Sequence, residues 1–433
     1  MTEVEARQTL GDTSEVSVRT AGSAVGVATA VAAIVLLGIN LRLVFGSASA
    51  MLTEIRQAYD LGAGAAALLT TGPVLCLGVF ATAATRAVRR FAAPVVLTAC
   101  LVLVLVGTGL RGTPWWPALV SGTLLAGIGI AVANVLGPIL IRVLFPHRIG
   151  LMTGLFTALV SASAGIASGV TIPLDQYLFH NWRMTLVAWG LPAALAVVVM
   201  ARLARRHHHI DRARKSAVRT AAPRWQSAVL RSRVAWAVTG FMGLQSLLAY
   251  SMIAWLPTIY RDRGLSAENA GLQLTALSVS SIATALTIPV VAARVRRQSL
   301  LAVGVVALSV AGLVGVLVGH LELAVVWSIL LGLGQGGQLS LALTLINLRA
   351  ADTSTATSLS TMAQSIGYLV AALGPLAAGA IHSATGSWNA PLVVLLVVMV
   401  PLTLCGWLAG RDTLAAVTPS GRDTSAAVTP SPH

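Results

Sequence analysis

Residues 25–51 read VGVATAVAAIVLLGINLRLVFGSASAM. An apolar run of this length is a membrane-spanning helix. Continued to about Ile55, it is about 45 Å long at 1.5 Å per residue, and Arg42 lies near its middle. A guanidinium stays charged in a protein, and a bare charge in hydrocarbon costs several kcal/mol. Arg42 must therefore face protein or a water-filled cavity. A lone cation at mid-membrane reads as a site for an anion or an electron-rich polar solute. The bland alternative is that Arg42 caps backbone carbonyls or snorkels to the surface.

The rest of the composition agrees with a membrane. Of 433 residues 56% are apolar and 10% charged, where soluble domains carry roughly 25% charged residues. Mean hydropathy is +0.83. The net charge of +15 would suggest nucleic acid in a soluble chain. Here the basic residues gather on one side of the membrane map. Only Arg56, Arg111, Arg183, Arg261 and Arg263 fall on the other, with Arg42 between. That asymmetry is the positive-inside signature. It predicts an inner, plasma-type membrane with both termini cytoplasmic, and no nucleic acid partner. The acidic, polar N-terminus is unlike a cleaved signal peptide. Cys76, Cys100 and Cys405 lie in apolar segments without metal spacing and read as small hydrophobes.

Twelve apolar segments follow one another between turn and charge breaks. After a cytoplasmic tail (1–24), the first six lie within 25–201, and the other six within 234–409. A basic cytoplasmic segment, 202–233, joins the two sets, with Asp211 as its single acid. It reads as an amphipathic stretch on anionic lipid. His207, His208 and His209 point in different directions on a helix and read as a solvated loop. The tail from Arg411 is rich in Ser, Thr, Pro and Ala and is expected to be disordered.

The two sets repeat. A shift of 205 residues lays Gly127 and Gly129 on Gly332 and Gly334, Asn40 on Gln245, Ile141 on Ile346, and Arg89 on Arg294. The predicted fold is an all-α membrane protein of twelve transmembrane helices in two pseudo-symmetric six-helix halves. This parallel-repeat plan is that of the major facilitator fold, with its substrate site near mid-membrane between the halves.

All fourteen acids map to termini, loops or helix ends, with Glu54 the deepest. The lack of a mid-membrane carboxylate beside Arg42 argues for a neutral or anionic solute, since cation efflux and proton relays use such groups. The polar candidates for the cavity are Arg42, Asn40, Asn134, Gln245, Tyr250, Trp255, Gln335, Gln338 and Gln364. Asn40 and Arg42 are two apart and face different ways on a helix. Gln335 and Gln338 share a face, as do Gln364 and Tyr368. Any single amide could instead bond a neighbouring helix. Arg89, Arg90 and Glu54 are the candidates for gating. The run Gly332-Leu333-Gly334-Gln335-Gly336-Gly337 follows no strand, so it is read as close helix packing rather than a phosphate loop. The sequence holds no Walker motif, triad or metal cluster, so neither an enzyme nor a cofactor is expected.

Several of these stretches resemble the cyanate permease and nitroimidazole transporter family of the major facilitator superfamily. Asn40-Leu41-Arg42 is similar to its first span. Gly243-Leu244-Gln245-Ser246 with Tyr250 and Ala254-Trp255-Leu256-Pro257 is similar to its seventh. Gly332 to Gln338 with Leu341-Ala342-Leu343-Thr344-Leu345 resembles its tenth, and Gly374-Pro375 with Ala384-Thr385-Gly386-Ser387-Trp388 its eleventh and the following loop. Asn181-Trp182-Arg183 also fits. The likeness covers about Val25 to Ala409. Leu43 stands where the family pattern has Pro, and Thr85 and Val88 replace the superfamily's usual acid and Gly before Arg89 and Arg90. The resemblance implies a single-chain, monomeric secondary transporter of a small anionic or polar solute, working by alternating access, with a coupling proton left open. Multidrug efflux by the same fold, and a membrane sensor without flux, are the alternatives.

Overall fold

The computed structural model describes residues 3–145, 148–207, 227–351, 353–413 and 415; the side chains of 3–25 and of Arg89, among others, lie outside that description. The first half runs α1 (Glu3–Ala50), α2 (Ala63–Arg90), α3 (Ala93–Leu110), α4 (Trp116–Leu144), α5 (Ile149–Leu174) and α6 (Trp182–Arg205, with a turn at Trp189). The second runs α7 (Arg233–Asp262), α8 (Ala267–Arg294), α9 (Ser299–Val318), α10 (Ala324–Leu348), α11 (Thr353–Thr385) and α12 (Asn389–Ala409). Among the described residues eleven of these helices are long and apolar enough to cross a membrane, and α2 adds the apolar stretch Leu68–Phe80. Polar side chains cap the starts of three of the described helices. Asn181 accepts from Arg183 N before α6, Ser232 from Ala235 N before α7, and Ser266 from Asn269 N before α8. Each satisfies one of the otherwise unpaired first-turn N–H groups.

The packing repeats as the sequence does. α1 lies on α5 and α6, α2 on α4, and α3 on α4 and α6. Likewise α7 lies on α11 and α12, α8 on α10, and α9 on α10 and α12. The paired glycines explain the register. A Cβ on Gly127 would fall 2.7 Å from Pro73 Cα of α2, and one on Gly332 would strike Leu277 of α8. A Cβ on Gly129 would strike Cys100 of α3, and one on Gly334 would fall 2.6 Å from Ser309 N of α9. Close backbone approach of this kind is what small residues permit between membrane helices.

The halves meet where α2 packs on α11 and α5 on α8, with α1 against α7 at the centre. Ser49 Oγ donates to Ala254 O at 3.0 Å across 205 positions of the chain. Phe45 packs on Tyr250 with ring centroids 5.7 Å apart, and the same offset relates these two residues. Helix residues that touch their own pseudo-symmetric counterparts lie beside the axis relating the halves.

Three local expectations need correction. The first span does not run unbroken past Met51 (φ −95°, ψ 9°); a separate short helix, Leu52–Tyr59, follows. The stretch 174–183 after α5, which the sequence reads as an outer loop, begins with a helical turn, Asp175–Phe179. The tail read as disordered from Arg411 stays on the bundle a little longer. Asp412 lies 3.7 Å from the Arg349 guanidinium, and Ala415 N donates to Arg349 O at 2.7 Å. Residues 208–226 and 416–433, including His208 and His209 and most of the basic segment, lie outside the described residues.

Candidate functional site

A small cavity, partly continuous with solvent, opens between the halves about midway along the helices. Arg42 and Ser161 line it from the first half, and Gln245, Tyr250, Gln335 and Tyr368 from the second. Arg42 is half-buried. Its guanidinium carbon sits 5.0 Å from the centroid of the Tyr250 ring, a cation–π placement that holds the charge without neutralising it. Among the described residues Arg42 makes no ion pair, and no Asp or Glu lines the cavity.

The other walls are neutral. Gln245 is buried, and its Nε2 donates to Met242 O at 3.1 Å and Ser246 Oγ at 2.7 Å. Tyr250 packs edge-on to Tyr368, centroids 6.3 Å apart. Gln335 is 6% exposed, and its Nε2 is buried without a hydrogen-bond partner among the described residues. An unpaired buried amide costs about 1–3 kcal/mol, so this N–H is stabilised by whatever acceptor enters the cavity.

Five of the sequence candidates do not reach this cavity. Asn40 is buried, with Nδ2 donating to Leu36 O at 2.7 Å and to Pro192 O of α6 at 3.2 Å. Trp255 is fully buried; its Nε1 donates to Pro375 O at 2.9 Å, and its ring packs on Trp388. Gln338 turns toward α9 and donates to Ser309 Oγ at 2.8 Å and Val305 O at 3.3 Å. Gln364 donates to Ser360 Oγ within its own helix at 2.8 Å. Asn134 stands one step back, its Nδ2 donating to the Tyr368 hydroxyl at 3.5 Å. In each case a nearby acceptor captured the amide or indole N–H.

Of the gating candidates, Glu54 lies in the short helix after Met51 and accepts from Arg261 Nη1 of α7 at 2.8 Å, tying the halves together. Arg90 is exposed at the end of α2, and the Arg89 side chain lies outside the described residues.

Three residues went unread in the sequence. Tyr368, read only as sharing a face with Gln364, lines the cavity. Arg261, which the sequence places only on the outer side of the membrane map, is the partner of Glu54. Arg111, expected in an outer turn, is 1% exposed, with Ser47 Oγ at 3.4 Å as its hydrogen-bond partner and Nε unpaired. Burial pulls its pKa down to about 10, which still leaves it charged at neutral pH. No spacing signal in the sequence marks it.

Residues 29–372 match the family model described as Major Facilitator Superfamily. The chain is 35% identical over 384 residues to the 2-nitroimidazole transporter of Escherichia coli (strain K12), covering 88% of this chain and 95% of that protein. It is 30% identical over 356 residues to the cyanate transport protein CynX of the same organism, covering 82% of this chain and 90% of that one. A crystal structure of a bacterial homolog to the human lysosomal transporter Spinster superposes with a TM-score of 0.71 at 14% identity, covering 90% of this chain and 98% of that chain. Twelve helices in two like halves, a cavity between them and these matches agree: the chain is a multi-pass membrane transporter of small molecules, not an enzyme, and it belongs to the Major Facilitator Superfamily.

Proposed function

We propose that this transporter moves a small anionic or acceptor-rich polar solute, cyanate-like or nitroheterocycle-like, by alternating access. The observation that carries the reading is the Arg42 guanidinium, lining the cavity between the halves with no carboxylate to neutralise it. A cationic drug would meet a like charge there, and a carboxylate to receive it is lacking on every described wall. An anion meets a cation held on an aromatic face, with the Gln335 amide N–H as a second donor. One cation and a few neutral donors give moderate affinity, which suits a carrier that must also release.

In this mechanism the two halves rock about the axis beside Ser49 and Ala254. The Glu54–Arg261 pair closes one end, and the Arg89 and Arg90 loop works at the other. The positive-inside pattern puts that loop, the basic segment 202–233 and both termini in the cytoplasm. One chain carries the whole cavity, so a monomer suffices.

The test is uptake of cyanate and of 2-nitroimidazole into proteoliposomes by wild type, Arg42→Ala and Arg42→Lys. Arg42→Ala should lose uptake at least tenfold. Arg42→Lys should retain part of it, because the charge stays and the planar fork is lost. Wild-type uptake by Arg42→Ala would remove the role given to this residue.

A further inference from the structure

The Arg42 reading explains how a negative group is attracted, but charge alone does not tell one small anion from another. The opposite wall offers more. Tyr368 lines the cavity from α11 and is 7% exposed. Its oxygen accepts a hydrogen bond from Asn134 Nδ2, which comes from α4 in the other half. A phenol hydroxyl has one hydrogen to give. With the Asn134 amide acting as donor to it, that hydrogen is free to turn to another acceptor, and Tyr368 is one of the residues lining the cavity. Gln335, on α10, brings the unpartnered Nε2. Two neutral donors from the second half thus share the space with the Arg42 cation of the first.

We propose that Tyr368 is a specificity-determining residue: oriented by Asn134 across the seam, its hydroxyl and the Gln335 amide select solutes that carry further hydrogen-bond acceptors beyond the group held by Arg42. This rests on the reading of Arg42 above. A single-atom anion satisfies the guanidinium alone. A multi-atom anion also reaches the second wall. Because Asn134 and Tyr368 sit in different halves, the selecting geometry exists only while the halves are together at this level. Discrimination is then built into the occluded state and is relaxed when the halves part.

The test uses the full chain in detergent, with bromide and nitrate as probes. Both are monovalent; nitrate carries three acceptor oxygens. Apparent dissociation constants come from the shift of the melting midpoint with anion concentration. Wild type should bind nitrate more tightly than bromide. Tyr368→Phe keeps the ring and its packing on Tyr250 and removes only the hydroxyl. It should weaken nitrate about tenfold and leave bromide unchanged. Asn134→Leu should weaken nitrate in the same direction by a smaller factor, since the hydroxyl remains but is no longer held. Unchanged constants in Tyr368→Phe, or an equal loss for both anions, would overturn the proposal. Arg42→Ala separates the two ideas. If it loses both anions while Tyr368→Phe loses neither, the cation site stands and the selectivity role falls. If it binds both as wild type does, the reading of Arg42 itself falls. A wild type stabilised by neither anion would contradict both.

Discussion

Gln335 and Gln338 stand one helical turn apart on α10 and face opposite circumstances. Gln338 is fully buried and gives its amide hydrogens to Ser309 and Val305 of α9, with only its Oε1 left unpaired among the described residues. Gln335 gives its amide hydrogens to nothing. Replacing a bonded amide by an apolar residue loses about 1 kcal/mol and leaves its partners short, whereas replacing an unpaired one removes a desolvation cost. Gln338→Leu should therefore lower the melting midpoint and leave the apparent solute affinity alone. Gln335→Leu should leave the midpoint equal or higher and raise KM for uptake about tenfold. Thermal unfolding and proteoliposome kinetics on the same two preparations decide it, and equal behaviour of the two variants would contradict the assignment. The same contrast shows what the sequence could yield about the site. Arg42 was legible because its charge has no cheap place in a membrane. Amides have many cheap places. Asn40, Gln338 and Gln364 each found a backbone or hydroxyl acceptor within reach, and whether such an acceptor lies nearby depends on neighbouring helices. Tyr368 was hidden for the complementary reason: an aromatic residue in an apolar span reads as packing until the structure shows it lining a cavity.

The helices themselves were far more readable. Long apolar runs bounded by charge and turn residues fix a span to within a few residues, and the offset repeat of Gly127 and Gly129 on Gly332 and Gly334 exposed the two-half plan. What the pattern could not give was the break at Met51 or the helical turn after α5, since neither changes hydropathy. Nor could it say what the glycines touch. In the structure they let α4 lie on α2 and α3, and α10 on α8 and α9. Gly127→Ala would drive a methyl group to 2.7 Å from the backbone of Pro73, an overpacking that costs about 1–3 kcal/mol. Gly304 in α9 has no atom within 4 Å of the same position. There Ala only improves helix propensity, by up to about 1 kcal/mol. Gly127→Ala should thus lower the melting midpoint and Gly304→Ala should not. A fall of equal size in both would mean that the glycines matter through chain flexibility rather than close packing.

Transport requires the whole molecule to exchange one closed end for the other, and the clearest tie across the described seam is the Glu54–Arg261 pair at 2.8 Å. Both side chains are a fifth to a quarter exposed, so solvent screens them and the pair contributes within about 1 kcal/mol. The smallness is useful. A gate worth many kcal/mol would trap the protein, whereas about 1 kcal/mol shifts an open–closed ratio about fivefold, near the tenfold that 1.4 kcal/mol gives. Ser49 Oγ to Ala254 O, nearer mid-membrane along α1 and α7, adds a neutral bond between the same two helices. Spin labels at Gln57 and Ser266, both exposed and one in each half, would report its opening as a distance distribution. Glu54→Gln and Arg261→Gln should each shift population toward longer distances. High salt should do the same to wild type and little to the variants, because screening acts only on the intact pair. Exchanging the two residues, Glu54→Arg with Arg261→Glu, should restore the short distance. If the single variants keep the wild-type distribution, the pair is a surface contact and the halves are held at this end by helix packing instead.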